Sequence, residues 1–399
     1  MTRLRMFTDD TFRSLRTRNF RLFFTGQGIS QIGNWLTLIA QTLLVLELTD
    51  SGLALGLLAA AQFGPVLLFG AFAGLIADRS DKRRLLMTVQ AFAMAQSFVL
   101  AALAFQDSPP VWAIYAIAWF GGIATAFDNP ARRSYVVEMV PESQVTNAVS
   151  LNSALMTGSR IVGPALGGVL VLTVGFGWAF VVDGLSYIAV LIGLKMIDST
   201  QVRRPVPTPR GRGQVRAGLR YAWSVTELRV PLLMMTVIGT LAFNFQTVLP
   251  LFATRDLDGG SGTFPFLMSV VSVGSLAGAL WSARRTDASV RMVSLAAVAF
   301  GASMAALAAA PNQQAAFAIG VVLGVSSISF MTASTAIVQL RAEPSMRGRV
   351  LALQAMVFLG STPIGGPILG WVCQQFGARW GLLVGAVATV GAGLYGMAV

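Results

Sequence analysis

GPALGG at residues 163–168 recurs as GPILGW at residues 366–371. Pro141 precedes the first motif by the same interval as Pro344 precedes the second, so one constant shift of 203 residues aligns the prolines and the motifs together. A loop, a helix start and a helix middle that repeat in register indicate a duplicated half rather than a chance recurrence.

The composition places this chain in a lipid bilayer. Of its 399 residues, 55% are hydrophobic and only 12% are charged, which leaves too little polar surface to cover a soluble globule of this size. Twelve apolar stretches reach the roughly 20 residues that cross about 30 Å of hydrocarbon. They are 20–48, 52–78, 84–106, 111–129, 147–172, 177–197, 230–254, 262–283, 290–310, 315–339, 350–373 and 378–398. Duplicated halves of such a chain are typical of secondary transporters.

The sequence therefore predicts an all-α membrane protein with twelve transmembrane helices in two pseudo-symmetric six-helix bundles. We expect one bundle at 1–197 and the other at 230–399, joined by a cytoplasmic linker at 198–229 that contains an amphipathic helix. The basic side of that helix would lie against anionic headgroups, which makes membrane lipids an expected partner. A solvated linker is the alternative. We expect a monomer.

Lys and Arg are distributed asymmetrically between the two ends of the spans. A net charge of +12 is also a mark of nucleic-acid binding, but 26 of the 29 Lys and Arg residues lie on one side if the N-terminus is cytoplasmic. The other three are Arg160, Arg255 and Arg379. The positive-inside rule then predicts a bacterial inner-membrane protein with both termini in the cytoplasm, and no nucleic-acid partner.

The chemistry available to the chain is limited. It has no histidine and one cysteine, Cys373, which excludes an internal disulfide, a His-based metal site and a His proton relay. No nucleotide-binding loop, metal cluster or nucleophile constellation is visible, so we expect no enzyme activity, no cofactor and no metal. Any ion coupling must use carboxylates.

Charged residues cluster at the ends of spans two and four. GLIADRSDKRRLL at 74–86 places an acid before a group of cations, and FDNPARRS places Asp128 beside two arginines. Either those arginines or Lys82 would neutralise Asp128. An ion cluster that exists in only one conformation would act as a gate, while cations that only fix topology are the alternative. The candidate gate residues are Gly74, Asp78, Arg79, Lys82, Arg83, Asp128, Arg132 and Arg133.

Two charges lie inside spans, where each costs roughly 3 kcal/mol or more at the bilayer centre unless it is paired or hydrated. Arg160 lies about 12 residues into span five, near the midplane, and Asp183 lies about 6 residues into span six. The two side chains are expected to approach one another. A structural salt bridge and a role in substrate or proton binding are the two alternatives.

Polar residues also follow helical spacing in spans one and seven, which places them on one face of each helix. We expect them to line a cavity, with helix-to-helix hydrogen bonding as the alternative. The candidate cavity-lining residues are Gln27, Gln31, Asn34, Gln41, Thr240 and Asn244.

The GLIADRSDKRR loop, NPARRS and NAVSLNSALMTGSRIVGPALGG together resemble the major facilitator superfamily, in the bacterial branch that groups the enterobactin exporter with macrolide efflux proteins. The resemblance implies that the loop locks the two halves on the cytoplasmic side when the transporter faces outward. It also implies an antiporter-type motif at Gly158, Gly163, Pro164, Gly167 and Gly168, whose glycines permit close helix packing.

This chain departs from the superfamily at two places. Asp81 replaces the glycine that the loop usually has, which affects its turn, and VWAIYAIAWFGGIATAF in span four lacks the arginine of many proton-coupled drug exporters. The resemblance implies efflux of a small amphipathic molecule (a drug, siderophore or metabolite) by alternating access, in exchange for protons. A lipid or lysolipid flippase of the same fold is the alternative. A non-transporting receptor or scaffold is a third alternative, but such a protein would not need a gate of rearrangeable ion pairs.

Overall fold

A computed structural model describes residues 11–203, 214–282 and 289–399, apart from the side chains of 71, 78, 214–216 and 345. Within these residues the chain is helical and contains no strand. Twelve segments are long and apolar enough to cross a membrane. The predicted fold class, an all-α membrane protein with twelve transmembrane helices, is confirmed.

The first six spans are α1 (Arg18–Thr49), α2 (Gly52–Arg79), α3 (Lys82–Ala104), α4 (Val111–Glu138), α5 (Val145–Val174) and α6 (Phe176–Met196). A linker helix, α7 (Gln214–Ser224), precedes span seven, which consists of α8 (Thr226–Leu241) and α9 (Phe245–Leu251). The last five spans are α10 (Thr263–Ser282), α11 (Val290–Ala308), α12 (Gln313–Arg341), α13 (Pro344–Phe376) and α14 (Ala378–Ala398).

The chain divides into two compact units, so far as their residues are described. One comprises Met1–Gln41 and Leu68–Thr208, and the other comprises Thr42–Leu67 and Pro209–Val399. One division between the units falls between Thr208 and Pro209. The end of α1 and the first part of α2 group with the second unit.

Glycine contacts explain why the first part of α2 belongs to the second unit. A Cβ added at Gly366 of α13 would lie 3.1 Å from the carbonyl oxygen of Gly56, and a Cβ at Gly370 would overlap that of Gly52. Backbones approach this closely only where neither residue has a side chain. The second copy of the repeated motif therefore packs α13 against α2.

The helix pairing is repeated in the two units. In the first unit α3 packs against α6, and a Cβ at Gly184 would lie 2.8 Å from the Phe98 ring. In the second unit α11 packs against α14, and a Cβ at Gly301 would lie 2.8 Å from the carbonyl oxygen of Ala386. These are the third and sixth spans of each half, as a duplication requires.

Each fifth span of the repeat ends at a glycine with positive φ. Gly175 follows α5 with φ of +86°, and Gly377 follows α13 with φ of +96°. Residues with a Cβ rarely adopt this conformation. The two glycines lie 202 residues apart and the two GP motifs 203, so the same turn occurs in both halves although the spacing differs by one residue.

The linker helix α7 packs against α13. A Cβ at Gly218 would lie 2.9 Å from Cβ of Arg349 on α13, and the backbone N–H of Glu343 donates to the Tyr221 hydroxyl at 3.0 Å. Residues 204–213 of the predicted linker lie outside the described residues.

Span seven is interrupted, which the continuous apolar run at 230–254 does not indicate. After α8, the Asn244 amide donates to the carbonyl oxygen of Thr240 at 2.7 Å, in place of a backbone donor. The helix resumes at Phe245 and ends in a π-helical turn at Phe252–Asp256. A Cβ at Gly365 of α13 would overlap the Thr240 carbonyl oxygen, so α13 packs directly on the interruption.

Candidate functional site

The loop between α2 and α3 is tied to the end of α6. Asp81 is the N-cap of α3, and its carboxylate accepts from the backbone N–H of Arg84 at 3.0 Å. Arg83 donates to the carbonyl oxygens of Leu194 and Lys195 at 2.7 and 2.6 Å. The acid that replaces the usual glycine therefore starts a helix, as N-cap acids commonly do.

Lys82 forms a buried ion pair with a residue that the sequence analysis did not select. Its Nζ lies 2.7 Å from Oε1 of Glu138 at the end of α4, and the two side chains are only 13% and 7% exposed. Lys82 thus neutralises Glu138. Of the candidate neutralisers of Asp128, the structure selects Arg132 rather than Lys82.

Asp128 lies in a second polar cluster. Its Oδ2 is 3.0 Å from Nη2 of Arg132, one turn along α4, and its Oδ1 accepts from the amide of Gln90 on α3 at 2.7 Å. Arg132 also donates to Asn129 at 2.8 Å. This cluster joins α3 to α4 within the first unit.

The other candidate gate residues are placed differently. Arg79 and Arg133 are exposed, and a Cβ at Gly74 would meet no atom within 4 Å. The Asp78 side chain lies outside the described residues. In the first unit, Lys82, Arg83 and Arg132 therefore hold the helix ends together, and Arg79 and Arg133 are left on the surface of this unit.

The glycines of the first GP motif have unequal environments. A Cβ at Gly163 would overlap Cβ of Trp35 on α1, while a Cβ at Gly167 would make ordinary contact with α1. Pro164 and Gly168 are buried, and a Cβ at Gly158 would meet nothing within 4 Å. Close packing of α5 against α1 therefore depends on Gly163.

The two charges within the spans have different partners and do not form the expected pair. Asp183 is fully buried, and its carboxylate accepts from the hydroxyls of Thr37 on α1 and Ser97 on α3 at 2.6 and 2.7 Å. Arg160 is exposed, and its guanidinium lies 5.9 Å from the centre of the Trp35 ring. The two side chains project toward different neighbours, so the expected pair does not form.

The polar stripe of α1 is partly packed and partly accessible. Gln27 and Gln41 are buried, and Gln41 donates to the carbonyl oxygen of Ile114 on α4 at 3.3 Å. Gln31 is half-buried with its amide 2.7 Å from Sδ of Met156, and Asn34 is exposed and accepts from the Tyr187 hydroxyl at 2.7 Å. Of these four residues, Gln31 and Asn34 in the middle of the stripe are the accessible ones.

In span seven, Thr240 is half-buried and Asn244 is buried at the interruption. The Asn244 Oδ1 atom and the Thr247 hydroxyl have no hydrogen-bond partner among the described residues. Phe243, just before Asn244, packs edge-on against Phe358 at 5.2 Å between ring centres. Asn244 thus stabilises a helix break beside an aromatic cluster.

Comparison with known proteins identifies the family. The family described as transmembrane secretion effector matches residues 9–399. The chain belongs to this family. Macrolide efflux protein A of Streptococcus pyogenes is 24% identical over 380 residues, which cover 92% of this chain and 93% of that protein. The staphyloferrin A transporter of Staphylococcus aureus is 24% identical over 362 residues, or 90% of each chain.

A solved structure supports the fold. The bacterial homologue of the human lysosomal transporter Spinster, in an inward-facing and occupied conformation, matches with a TM-score of 0.76 and 14% identity over 96% of each chain. The resemblance to major facilitator transporters is confirmed. The protein is a multi-pass bacterial inner-membrane transporter of small molecules, and the expectation that it is not an enzyme agrees with its family.

The sequence did not indicate three of the polar residues in these clusters: Glu138, Gln90 and Ser97. Gln90 and Ser97 are seven residues apart on α3 and therefore lie on the same helical face, which was a usable signal. Glu138 is an acid at the end of a span, but its partner is 56 residues away in sequence. No local pattern indicates that pairing.

Proposed function

We propose that this transporter exports a small amphipathic molecule, such as a drug, siderophore or metabolite, by alternating access in exchange for protons. Both termini face the cytoplasm. The names of the relatives, a macrolide efflux protein and a siderophore transporter, support the substrate class and the direction. The antiporter-type motif, with Gly163 packed against α1, supports exchange.

Asp183 is the proposed proton carrier, and its surroundings are the observation on which coupling rests. It is a fully buried carboxylate inside a span, and its described partners are neutral hydroxyls rather than cations. In the membrane interior, an acid without a neutralising cation is much less stable in its charged form than in its neutral form, and hydration reduces that difference. Its protonation state is therefore sensitive to any change in packing or hydration.

The hydroxyl partners suit both forms of the acid. Thr37 and Ser97 donate to the carboxylate at 2.6 and 2.7 Å, and each oxygen also has lone pairs that accept from a protonated carboxyl group. An arginine in the same place would stabilise only the charged form. The site can therefore bind and release a proton without an unsatisfied partner in either state.

Polar side chains continue from Asp183 toward the predicted cytoplasmic end. One turn along α1 and α6, the Tyr187 hydroxyl donates to Asn34 at 2.7 Å, and the Asn34 amide donates to Gln31 at 3.0 Å. Asn34 is exposed. This face supports access of water and protons from the cytoplasm to the neighbourhood of Asp183.

The loop after α2 is the proposed cytoplasmic gate. Lys82 and Arg83 are held by Glu138 and the end of α6. Among the candidate gate residues, the exposed Arg79 and Arg133 therefore remain for a rearrangeable contact. An ion pair made in one conformation and lost in the other would bias the transport cycle.

The test is uptake into everted membrane vesicles, with a panel of a cationic dye, a macrolide and a catecholate siderophore. One proton crossing about 100 mV supplies roughly 2.3 kcal/mol, which sustains a gradient on the order of fiftyfold. We expect the wild type to accumulate at least one member of this panel. That accumulation should be lost in Asp183→Asn and retained in Asp107→Asn, which removes an exposed acid. Wild-type accumulation that survives collapse of the proton gradient would disprove coupling.

A further inference from the structure

Arg160 carries a positive charge inside the first unit that no described acid neutralises. The acids on α4 and α6 have other partners: Asp183 binds the hydroxyls of Thr37 and Ser97, Asp128 binds Arg132, and Glu138 binds Lys82. Among the described residues, none accepts a hydrogen bond from Arg160 or lies within ion-pair distance of it. The guanidinium is therefore available to another anion.

The Arg160 side chain is held in place without using its hydrogen-bonding groups. It lies over the indole ring of Trp35, with its central carbon 5.9 Å from the ring centre. Trp35 in turn packs against Gly163, one turn further along α5. Stacking on an aromatic face uses the face of the guanidinium, so the N–H donors at its edge keep the fork geometry that binds an oxyanion.

The surroundings indicate that Arg160 faces water. Arg160 and Asn34 are both exposed, and Gln31, one turn before Asn34 on α1, is half-buried. A charged side chain within a span avoids lipid and faces a water-filled cavity or another helix. Gln31 lies one turn before Trp35 on α1 and is a neutral amide, so this part of α1 adds hydrogen-bonding groups and no opposing charge.

We infer that Arg160, stacked on Trp35, is a binding site for an oxyanion, and that it selects substrates bearing a carboxylate or phosphate group. The inference rests on the proposed export function, since it specifies the class of substrate that the transporter exports. The oxyanion can belong to a soluble substrate or to the headgroup of an anionic lipid. A cationic amphiphile without an acidic group would be disfavoured at this position.

The test is equilibrium binding to the full-length protein in nanodiscs, with fluorescein and rhodamine 123 as probes. These dyes share a xanthene ring and differ in the sign of their charge. A charged hydrogen bond contributes enough free energy for about tenfold or more in affinity. We expect the wild type in phosphatidylcholine to bind fluorescein at least tenfold more tightly than rhodamine 123. Equal affinities, a preference for rhodamine 123 or no binding of either dye would overturn the inference.

Variants assign the preference to the residue. Arg160→Gln should lose at least tenfold in fluorescein affinity and little in rhodamine 123 affinity. Arg160→Lys keeps the charge and should retain part of the preference, which distinguishes loss of the anion site from misfolding. Arg291→Gln removes one exposed positive charge elsewhere and should change neither. An unchanged preference in Arg160→Gln would overturn the assignment.

The lipid composition identifies the source of the oxyanion. Phosphatidylglycerol that competes with fluorescein more strongly in the wild type than in Arg160→Lys at the same content indicates a headgroup phosphate; no competition indicates a soluble substrate. Binding needs no proton gradient. The dye preference can therefore hold when vesicle uptake fails, and vesicle uptake can occur when the dye preference is absent. The two proposals therefore fail separately.

Discussion

The ion pair between Lys82 and Glu138 is predicted to contribute far more to stability than a surface pair in the same protein. Its atoms are 2.7 Å apart, and its side chains are 13% and 7% exposed. Glu138→Gln leaves the Lys82 ammonium without its partner, and removal of one member of a buried pair costs about 3 kcal/mol or more. Replacing both residues by apolar ones of similar size should restore most of that loss, because no charge is then left unpaired.

The matched control is the pair formed by Glu227 and Arg341 in the second unit. These atoms are 3.5 Å apart, and the side chains are about half exposed at 48% and 50%. Water screens such a pair, so its coupling energy should lie between about 0 and 1 kcal/mol.

The assay is a double-mutant cycle on each pair, with unfolding of the purified protein measured by titration of mixed micelles with sodium dodecyl sulfate. We expect a coupling energy of about 2 kcal/mol or more for the buried pair and about 1 kcal/mol or less for the control. Coupling energies that agree within about 0.5 kcal/mol would refute the reasoning, since burial would then have no effect on the pair.

Two glycine substitutions test the close helix contacts by the same unfolding titration and by vesicle uptake. Gly163→Ala should destabilise the protein by about 1–3 kcal/mol because its Cβ overlaps α1, while Gly158→Ala, with open space around it, should change stability by less than about 0.5 kcal/mol. Gly365→Ala should reduce uptake and stability because its Cβ overlaps the Thr240 carbonyl at the interruption of span seven, while Gly391→Ala, which meets nothing within 4 Å, should behave as the wild type. Similar results for the two members of either pair would contradict the predicted contacts.

The twelve spans were predictable because each leaves a long apolar run, and crossing the bilayer depends on length and composition. The pairing of Asp128 with Arg132 was among the expected alternatives because the two are four residues apart on one helix. Both predictions use information that is local in sequence. The duplicated GP motif likewise indicated which positions of the two halves are equivalent.

The partner of Asp183 was not predictable in the same way. Sequence position gives the depth of a residue along its span, but the neighbour of a side chain also depends on the rotation of each helix about its axis. Arg160 therefore stacks on Trp35, whereas Asp183 binds Thr37 and Ser97 from two other helices. The interruption at Asn244 was missed because hydropathy measures side chains and not backbone continuity.

The most direct test of the proposed coupling is the infrared difference spectrum of the purified transporter on addition of an exported substrate. If Asp183 releases its proton when substrate binds, the C=O stretch of a protonated carboxylic acid should decrease and carboxylate bands should increase. Asp183→Asn should lack this signal, and Asp107→Asn should keep it. A wild-type spectrum without the carboxylic acid band, or the same band in Asp183→Asn, would contradict the account.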